Sequence, residues 1–361
     1  MDCLRPQDGN DYLKWFVGKA TAERTPLAGT LELTARCNLR CVHCYLGSLR
    51  GPRALGPAPA RELGTARIRG LLDEMVEAGC LQLLITGGEP LLRPDFAEVY
   101  RHARERGLLM GVFTNGTLVD AATCSLFREL PPETVEVTLY GVTAATYEAI
   151  TQVEGSYARC VAGIERLLHA GVRVALKTVL LTANVHEFDA MRALARSYDV
   201  PFRYDAAVSA ALDGDRSPVA FRLPVAQAIE LELADGLRMG QWRKRGERHR
   251  ENTGPHRLYG CGAGVNAFFI DATARLYPCL MARSVSYDVS GGGFFLGWRD
   301  TIPKVHELAP GKTVGCVTCP ARPFCDTCPG FVALETGAED GRSEFLCRTA
   351  WARRDAVGVE G

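Results

Sequence analysis

The stretch "TARCNLRCVHCYLG", residues 34–47, places three thiols within eight residues: Cys37, Cys41 and Cys44, spaced CxxxCxxC. Thiolates are soft ligands, and three so close can grip a metal ion or an iron–sulfur cluster. A four-iron, four-sulfur cluster normally takes four cysteine thiolates. Three leave one iron open, and an open iron can bind a small molecule and pass it an electron. A structural zinc site instead wants four closed protein ligands. The nearby candidate for a fourth is His43, set between two of the cysteines where strain opposes its joining them. On spacing alone, zinc and a plain structural site stay open as alternatives.

A second set of thiols follows far along the chain. Cys261 and Cys279 bracket "CGAGVNAFFIDATARLYPC", then Cys316, Cys319, Cys325 and Cys328 fall in "CVTCPARPFCDTC", and Cys347 comes last. The close pairs Cys316–Cys319 and Cys325–Cys328 also suit zinc knuckles. Of the 14 cysteines, Cys3, Cys80, Cys124 and Cys160 belong to neither set. Cys160 lies on a helical stripe with Tyr157, Ile164, Leu167 and Leu168, and reads as a small buried hydrophobe, as do Cys80 and Cys124. Cys3 sits in a terminal segment and is left open.

The elements that must position these groups alternate regularly. Apolar strands are predicted at 30–35, 81–86, 108–114, 134–140, 172–181 and 201–208. Helices are predicted at 66–79, about 95–106, about 119–129, 156–170 and 185–198. Apolar strands alternating with helices imply a parallel sheet with covered faces. Six units fall short of the eight in a closed barrel, so the expected fold is α/β, a partial (β/α)6 TIM-like barrel. Chemistry in such folds sits at the C-terminal strand ends. There stand the cysteine loop, "TGGEP" (86–90), "TNG" (114–116) and "TLYG" (138–141), with Lys177 inside the fifth strand.

Composition narrows the function classes. Lys plus Arg equals Asp plus Glu, 42 each in 361 residues, so no bulk polyanion partner such as nucleic acid is indicated. No stretch approaches the roughly 18 apolar residues of a membrane span. The N-terminus has no apolar export signal, which makes the cytoplasm the expected location. In a reducing compartment, clustered cysteines bind metals or clusters rather than pairing as disulfides. The run "RKRGERHREN" (243–252) reads as a solvated face, with contact to an acidic peptide as the sharper alternative. "SGGGFFLGW" (290–298) reads as a turn followed by a short aromatic strand.

CxxxCxxC after a first strand, with Gly87–Gly88–Glu89–Pro90 after the second, resembles the radical S-adenosylmethionine (radical SAM) superfamily. The seven later cysteines resemble its SPASM branch. The likeness spans about residues 30–350, and divides the chain into an N-terminal segment 1–29, a partial barrel 30–240 and a small cysteine-rich α+β auxiliary-cluster domain 241–361. It implies that Cys37, Cys41 and Cys44 hold a [4Fe-4S] cluster that binds S-adenosylmethionine and cleaves it reductively. The 5′-deoxyadenosyl radical so released abstracts hydrogen from a substrate. By the same likeness Gly87, Gly88 and Glu89 meet the methionyl amino group, and Thr138 lies near the ribose. Where many members read Ser-x-Asp-Gly, this chain has Thr138–Leu139–Tyr140–Gly141, so no Asp–ribose contact carries over. Lys177 is read two ways, as a partner of the methionyl carboxylate or as a solvated strand lysine.

The SPASM likeness implies two auxiliary [4Fe-4S] clusters, three clusters in all. Cys261, Cys279 and Cys328 would hold the first auxiliary cluster; Cys316, Cys319, Cys325 and Cys347 the second. Two departures stand out: Ala274 replaces an expected glycine, and two residues rather than three separate Cys325 from Cys328. The first auxiliary cluster lacks a fourth cysteine, leaving His256, water or substrate for that position. The implied substrate is a ribosomally made peptide or a protein. Tetrapyrrole or sulfatase-type maturation by the same chemistry is the alternative. A non-catalytic electron carrier and a zinc-stabilised interaction module are further readings. With 36 residues ahead of Cys37, leader binding is assigned to a separate protein or to the enzyme's own surface, and the reductant to a flavodoxin or ferredoxin.

Overall fold

The computed structural model describes residues 9–49, 62–251, 257–309, 311 and 314–357; Cys3 and His256 lie outside them. After helix α1 (Gly9–Ala22), six strands run in parallel: β1 (Ala28–Glu32), β2 (Gln82–Thr86), β3 (Leu109–Thr114), β4 (Thr134–Thr138), β5 (Val174–Val179) and β6 (Phe202–Asp205). Each pairs with the next. Between them lie α2 (Thr65–Glu77), α3 (Phe96–Glu105), α4 (Ala121–Glu129), α5 (Ala144–Thr151), α6 (Ser156–His169) and α7 (Phe188–Ser197). The sixth strand ends at Asp205, short of its predicted end, and Val208 packs instead with Ile150 and Leu181.

Strand alternation divides the sheet into two unlike faces. Leu31, Leu83, Ile85, Met110, Val112, Val135, Val137 and Leu176 point one way, fully buried in one core with Leu71, Met75, Tyr100, Phe127 and Ile164 of the helices. Tyr100 and Phe127 meet edge to face at 5.2 Å between ring centres. The opposite face, which a closed barrel would enclose, carries Thr30, Thr86, Phe113, Glu136, Thr138 and Lys177, all half-buried. That polar face is where a substrate can lie.

The cysteine-rich half does not build its own sheet. Strand β7 (Ala267–Ile270) pairs in parallel with the free edge of β1, and β8 (Arg275–Tyr277) and β9 (Tyr287–Asp288) follow antiparallel. The result is one nine-stranded sheet, ordered β6-β5-β4-β3-β2-β1-β7-β8-β9. Phe268, Leu276, Phe294 and Trp298 enter the same core as Leu31 and Leu83. The segment predicted to turn into an aromatic strand is helical: α10 (Phe294–Leu296) continues as a wider turn over Gly297–Thr301. Its start is set by Gly293 in the left-handed region (φ 82°) and by Glu74, which accepts from the Phe294 N–H at 2.7 Å.

Helices α8 (Val225–Leu233), α9 (Gly236–Glu251), α11 (Val314–Val317), α12 (Pro329–Thr336) and α13 (Glu344–Val357) complete the described residues. Arg353 of α13 donates to both oxygens of Glu232 at 2.7 Å and to Asp326 at 2.7 Å. The basic run lies on α9, where Arg245 donates to Asp326 at 3.0 Å while Arg243 and Lys244 stay exposed. Its described part is therefore only partly a solvated face. Among the described residues no helix is long and apolar enough to cross a membrane.

Candidate iron–sulfur active site

The cysteine loop hangs between two supports. On one side the N–H groups of Arg40 and Val42 donate to the carbonyls of Thr151 and Ile150, at 2.9 and 3.0 Å. Those carbonyls end α5, a helix the sequence reading missed; the Thr143 hydroxyl capping the Thr146 N–H marks its start. On the other side Gly88 N–H donates to the Thr34 carbonyl at 2.7 Å and Glu89 N–H to the Arg36 carbonyl at 2.8 Å. A Cβ on Gly87 would lie 2.3 Å from the Thr34 oxygen, and one on Gly88 2.2 Å from the Arg36 oxygen. Only glycine allows the turn to press this closely on the loop.

The Glu89 carboxylate is fully buried and accepts three hydrogen bonds. They come from Thr114 Oγ1 at 2.8 Å, Asn115 N–H at 2.7 Å and Leu91 N–H at 3.1 Å. A carboxylate has about four acceptor sites, so most of its capacity goes to holding the β2 and β3 ends together. Burial pushes Glu89 up to about 7 against the pull of these bonds. From the β3 end, Asn115 reaches back to the cysteine loop, with its Nδ2 3.8 Å from the Cys37 sulfur and 2.9 Å from the Asn38 Oδ1. Arg93, buried, donates to the Leu33 and Leu63 carbonyls at 3.1 Å each and clamps the loop's start.

Burial, then the Glu89 charge, pushes Cys37 up to about 12. A thiolate there would need positive charge beside it, which cluster iron would supply. Tyr140, from the "TLYG" strand end, is half-buried against the same loop; desolvation and the charges of Cys41 and Cys44 hold its phenol far above the ordinary value. His43 packs edge-on to Tyr140 at 4.9 Å, and burial lowers it to about 4. Among the described residues, no three His, Cys, Asp or Glu side chains are arranged to hold a single metal ion. The donor set of soft thiols, the glycine cradle and the buried acceptors fit a cluster.

Thr138 and Lys177 are register partners on β4 and β5. The Lys177 ammonium lies 3.8 Å from Glu136 and over the Phe113 ring, two residues deeper than Thr138. Burial draws its pKa well below the lysine value. It is not a solvated strand lysine. Glu32, at the β1 end, escaped the sequence reading because strand alternation alone does not mark it. It is buried, accepts from the Tyr45 hydroxyl at 2.7 Å, and burial raises it to about 7.

Among the seven later thiols, Cys325 and Cys328 pack together against Phe331, and several sulfurs influence one another electrostatically. Cys328 is raised by burial and then by Cys279 and Cys261, and Cys279 by burial and then by Cys261 among its sulfur neighbours. Cys316 is raised by burial and then by Cys347 and Cys319, and Cys325 also feels Cys347 and Cys316. Two of these sulfurs accept backbone N–H bonds: Cys279 from Ala282 at 3.3 Å and Cys328 from Phe331 at 3.4 Å. Ala274, standing where glycine was expected, keeps a left-handed φ of 65°. Cys80, Cys124 and Cys160 are buried in the core.

A three-thiol loop pressed against a glycine turn, at the open end of a parallel α/β sheet, defines a cluster-dependent enzyme. The chain belongs to the radical SAM superfamily. The model of that superfamily matches residues 31–195. The mycofactocin maturase MftC of Mycobacterium ulcerans is 30% identical over 322 residues, covering 84% of this chain and 82% of that protein. An AdoMet-dependent heme synthase of Methanosarcina barkeri is 35% identical over 156 residues, 43% of either chain. The matched stretch is thus less than half the length of that relative. The crystal structure of Streptococcus suis SuiB bound to S-adenosylmethionine superposes with a TM-score of 0.68 at 15% identity, covering 95% of this chain and 84% of that one. SuiB bound to its precursor peptide SuiA gives 0.67 at 15% identity, covering 96% and 83%. At that identity the likeness is one of fold.

Proposed function

We propose that this chain is a radical SAM peptide maturase, removing hydrogen from a ribosomally made peptide and completing a crosslink or another oxidation. The observation that carries the reading is the Gly87–Glu89 turn docked on the three-thiol loop. Cys37, Cys41 and Cys44 would hold the cluster. The backbone of Gly87 and Gly88 forms the cradle for the methionyl end of S-adenosylmethionine, Glu89 holds that backbone in place, and Thr138 stands on the ribose side. Lys177 closes the floor of the polar face and could reach the carboxylate only by leaving Glu136. When bound, cluster and S-adenosylmethionine supply reductive sulfonium cleavage and hydrogen-atom abstraction.

A peptide substrate is favoured over a tetrapyrrole by the extent of the likenesses. The maturase match runs through both halves of this chain, whereas the heme synthase match covers 43% of it. The two later thiol groups would hold two auxiliary clusters that carry electrons away from the substrate. A flavodoxin or ferredoxin in the cytoplasm would supply reducing electrons, and a separate protein would present the peptide leader. The test is anaerobic: reduced chain plus S-adenosylmethionine should yield 5′-deoxyadenosine and methionine. Replacing Cys37, Cys41 and Cys44 together by alanine should abolish both products. Undiminished cleavage in that variant would sink the assignment. Loss of a hydrogen pair from a precursor peptide encoded beside this gene would identify the substrate class; turnover of a tetrapyrrole carboxylate instead would overturn it.

A further inference from the structure

The turn that follows β3 carries Asn115, and both polar atoms of its side chain are fully engaged. Its backbone N–H donates to the Glu89 carboxylate at 2.7 Å, which ties it to the glycine turn. The carboxamide Oδ1 accepts from the Thr117 N–H at 2.9 Å and from the Thr117 hydroxyl at 2.6 Å. On the other side Nδ2 donates to Asn38 Oδ1 at 2.9 Å and to the Cys37 sulfur at 3.8 Å. Asn38 closes the ring, donating its own Nδ2 to Thr117 Oγ1 at 2.7 Å. Asn115 and Thr117 are both buried.

This ring leaves the carboxamide one orientation. The Thr117 N–H can only donate, so it needs the oxygen of Asn115. A flipped amide would set donor against donor there and oxygen against oxygen at Asn38. With Oδ1 taken twice and one N–H given to Asn38, the second N–H has the Cys37 sulfur as its acceptor. Sulfur is a larger and softer acceptor than oxygen, and its contacts are longer. The Leu39 N–H donates to the same sulfur at 3.4 Å. Cys37 thus receives one donor from its own loop and one from the β3 end, the latter aimed by Asn38 and Thr117.

We propose that Asn115 raises the reduction potential of the cluster held by Cys37, Cys41 and Cys44, through its N–H···S bond to Cys37, with Thr117 as the residue that positions it. The proposal rests on reading those three thiols as cluster ligands. Reduction adds one negative charge to a cluster and its sulfurs. A donor at a ligand sulfur therefore favours the reduced form. Asn115 itself gives and takes no electron; its part is electrostatic. Because its backbone N–H also holds Glu89, one residue couples the cradle for S-adenosylmethionine to the electron affinity of the cluster.

The experiment uses the full chain, reconstituted anaerobically with iron and sulfide. The cluster in question is the one whose electron paramagnetic resonance signal changes when S-adenosylmethionine is added. In a redox titration followed at that signal, Asn115→Leu should make reduction about five- to tenfold less favourable, a downward shift of about 40–60 mV for a one-electron couple. Thr117→Val should shift the midpoint the same way by less, and Thr117→Ser, which keeps the hydroxyl, should restore it. Pulsed resonance of the reduced protein, labelled with 14N or 15N in the asparagine side-chain amide, should show a nitrogen coupling that changes with the isotope and is lost in Asn115→Leu. An unmutated chain without that coupling overturns the proposal, even where Asn115→Leu loads no cluster. A coupling that survives Asn115→Leu overturns it in favour of another asparagine, and an unmoved midpoint overturns it as well. These outcomes leave the three-thiol cluster standing. A chain with iron but no signal that answers to S-adenosylmethionine removes that cluster reading and this proposal together.

Discussion

Gly88→Ala asks whether the glycine turn and the cysteine loop work as one unit. The new methyl would lie 2.2 Å from the Arg36 carbonyl oxygen, 2.6 Å from its carbon and 2.8 Å from the Ala35 oxygen. Ordinary carbon–oxygen contact needs about 3.4 Å, so the two backbones must part by roughly 1.2 Å. The contacts are to backbone, so no flexible side chain can yield. Parting breaks the Gly88–Thr34 and Glu89–Arg36 hydrogen bonds, at 2.7 and 2.8 Å. Each is worth about 1 kcal/mol net, and the crowding adds about 1–3 kcal/mol. The combined penalty, on the order of 3–5 kcal/mol, lowers the population of the assembled loop by roughly 10²- to 5 × 10³-fold. It falls on the site, so 5′-deoxyadenosine formation should collapse while the later thiol groups still load iron. Gly240→Ala on α9, where a Cβ meets nothing within 4 Å, is the control and should be neutral or slightly stabilising. Wild-type cleavage rates in Gly88→Ala, within about twofold on the scale of that penalty, would refute the reasoning.

Two further perturbations follow from the buried carboxylates. Glu89→Gln turns an amide NH2 toward the donors at Thr114, Asn115 and Leu91, leaving a buried N–H or O–H unmet; the urea unfolding free energy at pH 8 should fall by about 1–3 kcal/mol, and an unchanged midpoint would contradict this. Glu32 is raised from 4.5 to about 7. Relative to a permanently neutral glutamine, it loses stability as pH climbs from about 4.5 through about 7, by roughly 3 kcal/mol at most. Glu32→Gln minus wild type should therefore rise over that window and level off above it in denaturant titrations, and a difference flat with pH would count against a buried, ionising Glu32.

Much of the frame was legible because parallel strands announce themselves as apolar runs. "LQLLIT" and "TVEVTLY" needed no tertiary information to be placed, and the strand-end motifs followed. The helix α5 was lost because "TAATYEAITQ" mixes β-branched residues with helix formers, and its reward comes from holding the cysteine loop. The pairing of β7 with β1 joins residues about 240 apart, which no local pattern encodes. The burial of Glu32 is likewise tertiary. A carboxylate at a strand end looks ordinary until burial singles it out.

The sheet that runs unbroken from β6 through β1 into β9 limits how this protein can be cut or recombined. A truncation after residue 240 would leave β1 as a naked edge and strip Phe268, Phe294 and Trp298 from the core. An exposed flat edge beside newly uncovered aromatic surface is a template for aggregation. Grafting this cysteine-rich half onto a foreign barrel would likewise demand a β1 edge matched in register from Ala28–Ala267 to Leu31–Ile270. Exchange of whole chains, rather than of halves, is the workable route for swapping specificity between such enzymes.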